Sequence, residues 1–249
     1  MMKERLDTLL VARGLIESKE LAQRMIMAGE VRVEGHPVYK AGHKYPADCA
    51  IELLAKPRFV SRGGEKLEGA FAKFNLDVSG LDALDVGSST GGFTDCLLQH
   101  GAARVVAIDV GRAQLHPRLL ADPRVISMES FNARHLQPQD LPFVPRFGVT
   151  DVSFISLKLI LPPMVTVLAP GSQIVSLIKP QFEAGREHVP GGVVRDPAVH
   201  RAVVADILRF GTETLKLISL GVEESPLRGP EGNIEFLAWW QTPATQETP

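Results

Sequence analysis

The stretch from Leu81 to Asp95 reads Leu-Asp-Ala-Leu-Asp-Val-Gly-Ser-Ser-Thr-Gly-Gly-Phe-Thr-Asp, and it constrains the fold more than any other part of the chain. An apolar run ends in Asp85, a loop of small residues spans Gly87 to Gly92, and an apolar helical pattern runs from Phe93 to Leu98. That order predicts strand, tight turn and helix. Such a turn lets backbone approach a ligand closely and leaves free N–H groups at a helix start.

Several readings of this loop compete. A dinucleotide fingerprint, G-x-G-x-x-G, fails here, because Ser88, Ser89 and Thr90 separate Gly87 from Gly91. A second acidic residue, Asp109, ends the next apolar run, about where a carboxylate holds two ribose hydroxyls. Two acidic strand ends around a glycine loop suit an adenosyl ligand without a pyrophosphate, such as S-adenosylmethionine. The same residues also fit G-x-S-x-G, the hydrolase nucleophile elbow, with Ser89 as nucleophile and Asp151 and His188 or His200 as partners. A third reading takes Asp85 and Asp109 as solvated strand ends without function.

Strand patterns follow at Ala83–Val86, Val105–Asp109, Val125–Met128, Phe147–Asp151 and Ile174–Ile178, with helical patterns between most of them. Strand–helix alternation implies a parallel sheet covered on both faces. A long helix is predicted over Pro197–Leu217. Strands at Leu217–Val222 and Ile234–Trp240 flank the turn Pro226–Asn233 as a terminal antiparallel hairpin. Ahead of this series, Leu6, Leu9, Leu10 and Val11 form one helical stripe, and Leu21, Ala22, Met25 and Ile26 another behind a Ser18 cap. Strands at Val31–Val33 and Ile51–Leu54 complete a small α+β unit. The expected organisation is a first domain over 1–55, a linker over 56–62, a main domain over 63–241 and a disordered tail over 242–249.

Composition narrows the class. The chain of 249 residues carries a net charge of −2, with ten basic against eight acidic residues through Val60 and 17 against 21 beyond. This balance does not advertise nucleic-acid binding. Cys49 and Cys96 are the two cysteines. With no C-x-x-C and no Cys/His ligand spacing recognised, neither a metal site nor a disulfide scaffold is expected. No apolar run reaches the roughly 18 residues of a membrane span, and Met1–Asp7 has no signal core. A cytoplasmic protein without membrane partners is expected.

Four charged residues stand where an α/β sheet builds its sites. Lys66 begins a helix, Asp151 and Lys179 cap apolar strands, and Glu235 opens the last strand. Burying such groups unpaired is costly, whereas at the carboxyl edge they face a ligand crevice.

With these residues in place, the chain resembles the TlyA family, some of whose members are called haemolysins. Ser61-Arg-Gly-Gly-Glu-Lys66-Leu, the Asp85 loop, Thr150-Asp-Val-Ser-Phe-Ile-Ser156, Lys179-Pro-Gln-Phe-Glu183 and Gly191-Gly-Val-Val-Arg-Asp196 carry the resemblance. Arg5-Leu-Asp, Arg13-Gly-Leu, Ser18-Lys and Gly29-Glu-Val-Arg-Val-Glu-Gly35 are similar to a small RNA-binding domain named for a small-subunit ribosomal protein. The resemblance implies a Rossmann-like, seven-stranded methyltransferase sheet of the FtsJ type behind that domain. It implies methyl transfer from S-adenosylmethionine to a cytidine ribose 2′-hydroxyl of ribosomal RNA within ribosomal subunits. Lys66, Asp151, Lys179 and Glu235 match the family's catalytic tetrad. In it Lys179 would accept or stabilise the hydroxyl proton, Asp151 would orient Lys179, and Glu235 would balance Lys66 and position the ribose.

For the cofactor, the expected residues are Asp85, Gly87, Ser88, Ser89, Gly91, Gly92, Phe93 and Asp109. Asn132, with Glu129, is placed on the adenine side or, alternatively, read as a helix cap. For RNA they are Arg5, Lys19, Arg24 and Lys40, with Tyr39, Tyr45 and Phe59 as the available stacking aromatics. The four residues ahead of Arg5 lean toward large-subunit RNA, with the small subunit still open. Two readings from other classes are a membrane-lytic protein, which lacks an amphipathic basic helix, and a noncatalytic RNA-binding factor.

Overall fold

The computed structural model describes residues 3–27, 29–54, 58–229 and 231–244. The chain divides into two compact units, Met1–Arg58 and Phe59–Pro249. Residues 55–57, in the expected linker, and 245–249, in the expected tail, lie outside the described residues. Phe59, also in the expected linker, is buried in the second unit's core. Thr242, expected in the tail, is buried and exchanges hydrogen bonds with Ser172.

The first unit contains β1 (Lys3–Arg5), α1 (Leu6–Ala12), α2 (Lys19–Met27), β2 (Val31–Val33), β3 (His36–Pro37), β4 (Lys44–Pro46) and β5 (Ile51–Leu53). Both predicted helices form, and Ser18 Oγ caps α2 by accepting from Leu21 N at 3.2 Å. Leu6, Leu9, Leu10, Ala22, Ile26, Val31 and Val33 make the core. The antiparallel sheet β3-β2-β5 and the pair β1-β4 include three strands that were not predicted. Each has two or three residues, too few for an alternating pattern to register.

The second unit runs α3 (Arg62–Phe74), β6 (Asp82–Val86), α4 (Gly92–Gln99), β7 (Arg104–Ile108), α5 (Pro117–Leu120), β8 (Val125–Met128), β9 (Phe147–Thr150), α6 (Leu161–Val167), β10 (Gln173–Ile178), α7 (Pro180–Glu183), α8 (Pro197–Arg209), β11 (Ile218–Glu224) and β12 (Phe236–Gln241). Its sheet has seven strands in the order β11-β12-β10-β9-β6-β7-β8. The five from β6 to β10 are parallel, and β12 and β11 form the antiparallel end. Strand side chains alternate between two cores. Val105 packs with Leu67, Phe71 and Phe93, and Val106 with Leu161, Met164 and Trp240. The long helix expected to Leu217 ends earlier: α8 gives way to a π-helical turn at Phe210–Thr214 and to left-handed backbone at Lys216.

From β6 the chain crosses to β7 on one side, while β9 lies on the other side of β6. Such a reversal opens a crevice at the carboxyl ends of the two strands. The antiparallel register Ile178↔Phe236 brings the end of β10 beside the start of β12 at the same edge.

The crevice is walled by α3 and α4, which approach closely through glycines. A Cβ at Gly64 would lie 2.2 Å from the Phe59 ring, and one at Gly92 would lie 2.7 Å from Gly64 N. Gly64→Ala should therefore destabilise the chain by about 1–3 kcal/mol, as overpacking does. Denaturant unfolding measures this, and an unchanged midpoint would contradict the packing described.

Candidate active site

Two clefts meet at the carboxyl edge of the large sheet. One, of about 440 Å³, is lined by Ser61, Arg62, Lys66, Ser88, Lys179 and Arg228 among others. The other, of about 830 Å³, runs over the ends of β6 and β7 past Asp109, Val110, Phe131 and Asn132. Gly87, Ser89, Asp151 and Ser153 line both.

The four charged residues predicted from the sequence converge here. Lys66 projects from α3, Asp151 follows β9, Lys179 follows β10, and Glu235 precedes β12 by one residue. Lys66 Nζ donates to Glu235 Oε2 at 2.6 Å, between two buried side chains. Lys179 Nζ lies 2.5 Å from Asp151 Oδ1 and donates to Ser153 Oγ at 2.9 Å. The Lys179–Asp151 contact is a close pairing of charges without hydrogen-bond alignment. Gln181 Nε2 reaches Glu235 Oε1 at 3.5 Å. Two cations and two carboxylates thus form two ion pairs, and Lys66, Asp151 and Lys179 line the same cleft.

The glycine loop is shaped for close approach. Gly87 has φ +84°, and a Cβ there would lie 2.9 Å from the Asp151 carbonyl oxygen. Only glycine fits both the left-handed backbone and the contact. Asp109 accepts from Ser89 N at 2.8 Å and from Gly111 N at 2.7 Å, and it lines the larger cleft. Each carboxylate oxygen retains a lone pair for a further donor. Asn132 caps the following turn, accepting from Arg134 N at 3.2 Å, as the cap reading expected, and it also lines the larger cleft.

The other residues expected at the cofactor lie away from the larger cleft. Ser88, Gly92 and Phe93 line the smaller cleft. Gly91 lines neither cleft, and a Cβ there would meet Leu119 at 2.2 Å, so this position admits no side chain. Glu129 also stays out of both clefts and pins the 113–115 loop by accepting from three backbone N–H groups. These bonds hold its carboxyl below the usual range.

Asp85 is fully buried beneath the loop, with Oδ2 accepting from Thr94 Oγ1 at 2.6 Å and Oδ1 without a partner. Burial pushes its carboxyl up to about 7, with nearby Asp151 adding to the rise. The solvated strand end is thereby excluded for Asp85. The orphaned Oδ1, the Gly87 cradle and the Asp109 carboxylate together fit a small adenosyl ligand that carries positive charge.

The nucleophile elbow is not assembled. Among the described residues, no histidine lines either cleft. His200 is buried, within 3.0 Å of the Val194 carbonyl and edge-on to Phe236. Asp151 is paired with Lys179.

Several site residues were missed in the sequence. Arg62, Ser153 and Gln181 lie inside blocks that carry the resemblance but were given no role there, and Arg228 lies in none of those blocks. Phe154 could have been noticed as an aromatic beside Asp151. It is 90% exposed, has φ +63° and is tilted against Phe182 at 4.9 Å between centroids. Phe59, expected as a stacking aromatic, is buried and unavailable.

In the first unit, Arg5, Lys19, Arg24 and Lys40 are all exposed. Arg5 is committed in part to structure, because its Nη2 pairs with buried Asp7 at 2.7 Å. That hydrogen bond holds the Asp7 carboxyl well below the usual carboxylate range.

The chain matches two family profiles: FtsJ-like methyltransferase over residues 59–242 and S4 domain over residues 4–47. It is 49% identical to YqxC of Bacillus subtilis, which is named as an rRNA methyltransferase, over 94% of this chain and 84% of that one. It is 44% identical to the 16S/23S rRNA (cytidine-2′-O)-methyltransferase TlyA of Mycobacterium tuberculosis, over 96% of this chain and 90% of that one. A solved structure of a hemolysin-named protein from Streptococcus thermophilus aligns with a TM-score of 0.76 at 45% identity, covering 98% of this chain and 90% of that one.

The buried Asp85 makes stability depend on pH with a definite sign. Its carboxyl titrates from a reference value of 3.8 when unfolded and at about 7 when folded. Across that window the folded state keeps a proton that the unfolded chain has lost, so this contribution falls as pH rises. Asp85→Asn should flatten the unfolding free energy between these pH values; a variant profile parallel to the parent's would contradict the burial effect.

Proposed function

The chain belongs to the TlyA/hemolysin A family of FtsJ-like methyltransferases with an N-terminal S4 domain, and from that premise we propose that it methylates the ribose 2′-hydroxyl of a cytidine in ribosomal RNA, using S-adenosylmethionine. The observation that carries this reading is the pairing of Lys179 with Asp151 and of Lys66 with Glu235 beside the glycine loop. A ribosomal substrate also suits a cytoplasmic protein.

S-adenosylmethionine, when bound, supplies a methyl group on positively charged sulfur. Gly87, Ser89, Asp109 and Asn132 are the residues that would hold it, since they line the larger cleft. Asp85, buried beneath the loop, would complement its positive charge from below. The smaller cleft takes the ribose.

A ribose hydroxyl is a weak nucleophile and must give up its proton as it attacks. Lys179, in the neutral form left once its own proton has passed to solvent, accepts that proton at Nζ. Asp151, 2.5 Å away, balances the ammonium that results, and Ser153 Oγ fixes the direction of the amine. Lys66 and Glu235 hold each other in the cleft wall and position the sugar, with Gln181 steadying Glu235. Arg62 and Arg228 line the same cleft and suit the flanking phosphates. Phe154 offers an exposed ring on which an unstacked base can lie. Lys19, Arg24 and Lys40 contribute affinity through the first unit, and Lys19 at the start of α2 is placed for a phosphate. Lysis has no comparable support: no helix among the described residues is long and apolar enough to cross a membrane.

The test is methylation of separated ribosomal subunits with labelled cofactor, followed by mapping of the modified ribose. Lys179→Met should lower transfer by at least ~10²-fold while cofactor binding persists; normal transfer would overturn the assignment. Replacing Lys19 and Arg24 with alanine should reduce the salt dependence of RNA binding by about 0.7–0.9 in logarithmic slope per lost phosphate contact. An unchanged slope would remove these residues from the RNA surface.

A further inference from the structure

A cluster of metal-ligating side chains lies outside both clefts. Cys96 and His100 stand one turn apart along α4 and its cap, with His100 N donating to the Cys96 carbonyl at 3.0 Å. Glu68 faces them from α3. Its Oε2 lies 2.7 Å from His100 Nε2 and 3.8 Å from Cys96 Sγ, and the three donor atoms lie within 4.8 Å of one another. The expectation that no Cys/His ligand spacing exists overlooked this C-x-x-x-H step, which only a helix makes convergent. Glu68, from another helix, is invisible to spacing altogether.

The chemistry of the set is specific. Thiolate, imidazole and carboxylate are together the ligands of zinc-type cations. The His100 ring is stacked on Phe71, 3.8 Å between centroids and 6° between planes, which fixes the direction of Nε2 toward Glu68. Cys96 is buried, while the Glu68 and His100 side chains are 27% and 28% exposed, giving an ion a route in and water a fourth position. Tetrahedral bonds of about 2.0–2.3 Å separate ligand atoms by roughly 3.3–3.6 Å. The Cys96–Glu68 separation is already close to that, and the His100–Glu68 separation must open by about 0.6 Å as their hydrogen bond is exchanged for two metal bonds.

We propose that Glu68, Cys96 and His100 form a binding site for a zinc-type divalent cation that clamps α3 to α4. Binding makes a metal–sulfur bond at Cys96 and releases the thiol proton to solvent. The clamp supports the catalytic face, because α3 carries Lys66 two residues before Glu68 and α4 starts at the glycine loop. The ion would lie outside both clefts and take no part in methyl transfer, so the proposal does not depend on that reading.

Cobalt(II) is the probe. Titrated into the purified full-length chain, it should bind one ion per chain with thiolate-to-cobalt charge-transfer absorbance, and zinc should displace it. Cys96→Ser should abolish the absorbance. His100→Ala, at a partly exposed position that keeps the fold testable by circular dichroism, should weaken binding by more than the ~10–100-fold that loss of an outer-shell partner costs. Zinc should raise the melting temperature of the parent and leave that of His100→Ala unchanged. Absence of the absorbance in the parent, or its survival in both variants, would overturn the site, as would a zinc-dependent melting shift equal in parent and His100→Ala.

Discussion

The close approach of Gly87 to the Asp151 carbonyl is the constraint on which the rest of the site depends. It exists because β6 and β9 are parallel neighbours at a reversal of strand order, so their carboxyl ends open side by side. A side chain at Gly87 would force the two loops apart. With the loops in contact, Gly87 and Ser89 of one and Asp151 and Ser153 of the other line both clefts, so under the proposed function a donor held in one would face an acceptor held in the other. The antiparallel β12 then supplies what a purely parallel sheet could not. Its start lies beside the end of β10, which puts Glu235 at the edge already occupied by Asp151 and Lys179.

Electrostatic pairing holds this arrangement together at a cost. Lys66, Lys179 and Glu235 are nearly removed from water. Buried ion pairs repay desolvation only with good geometry, and removal of one partner typically costs about 3–5 kcal/mol. Two such pairs in one cleft are better explained by chemistry than by stability. Asp85 shows the same trade: a buried carboxyl with one unpartnered oxygen is retained under the loop where a cationic ligand would relieve it.

Much of this was legible in the sequence, for identifiable reasons. Apolar runs of four to six residues separated by helical patterns disclosed the strands of the large sheet, and Asp109, Asp151 and Lys179 were visible because they interrupt such runs at their ends. The strands β1, β3 and β4 were not, because two or three residues carry no period. The partnership of Lys66 with Glu235 spans 169 positions, and resemblance grouped the two residues before geometry could. Ser153 and Gln181 were missed because their value lies in what they touch. Asp85 and Gly91 were assigned to the ligand by position; that Asp85 is fully buried and that Gly91 leaves the room Leu119 occupies could be seen only in the structure.

The central claim is that the acceptor is a ribose hydroxyl whose proton passes to Lys179. It is tested most directly with an RNA substrate carrying 2′-deoxycytidine at the mapped position and otherwise unchanged. The account predicts that this RNA binds with undiminished affinity and takes up no methyl group there. Methyl incorporation at that nucleotide would place the reaction on the base and contradict the account.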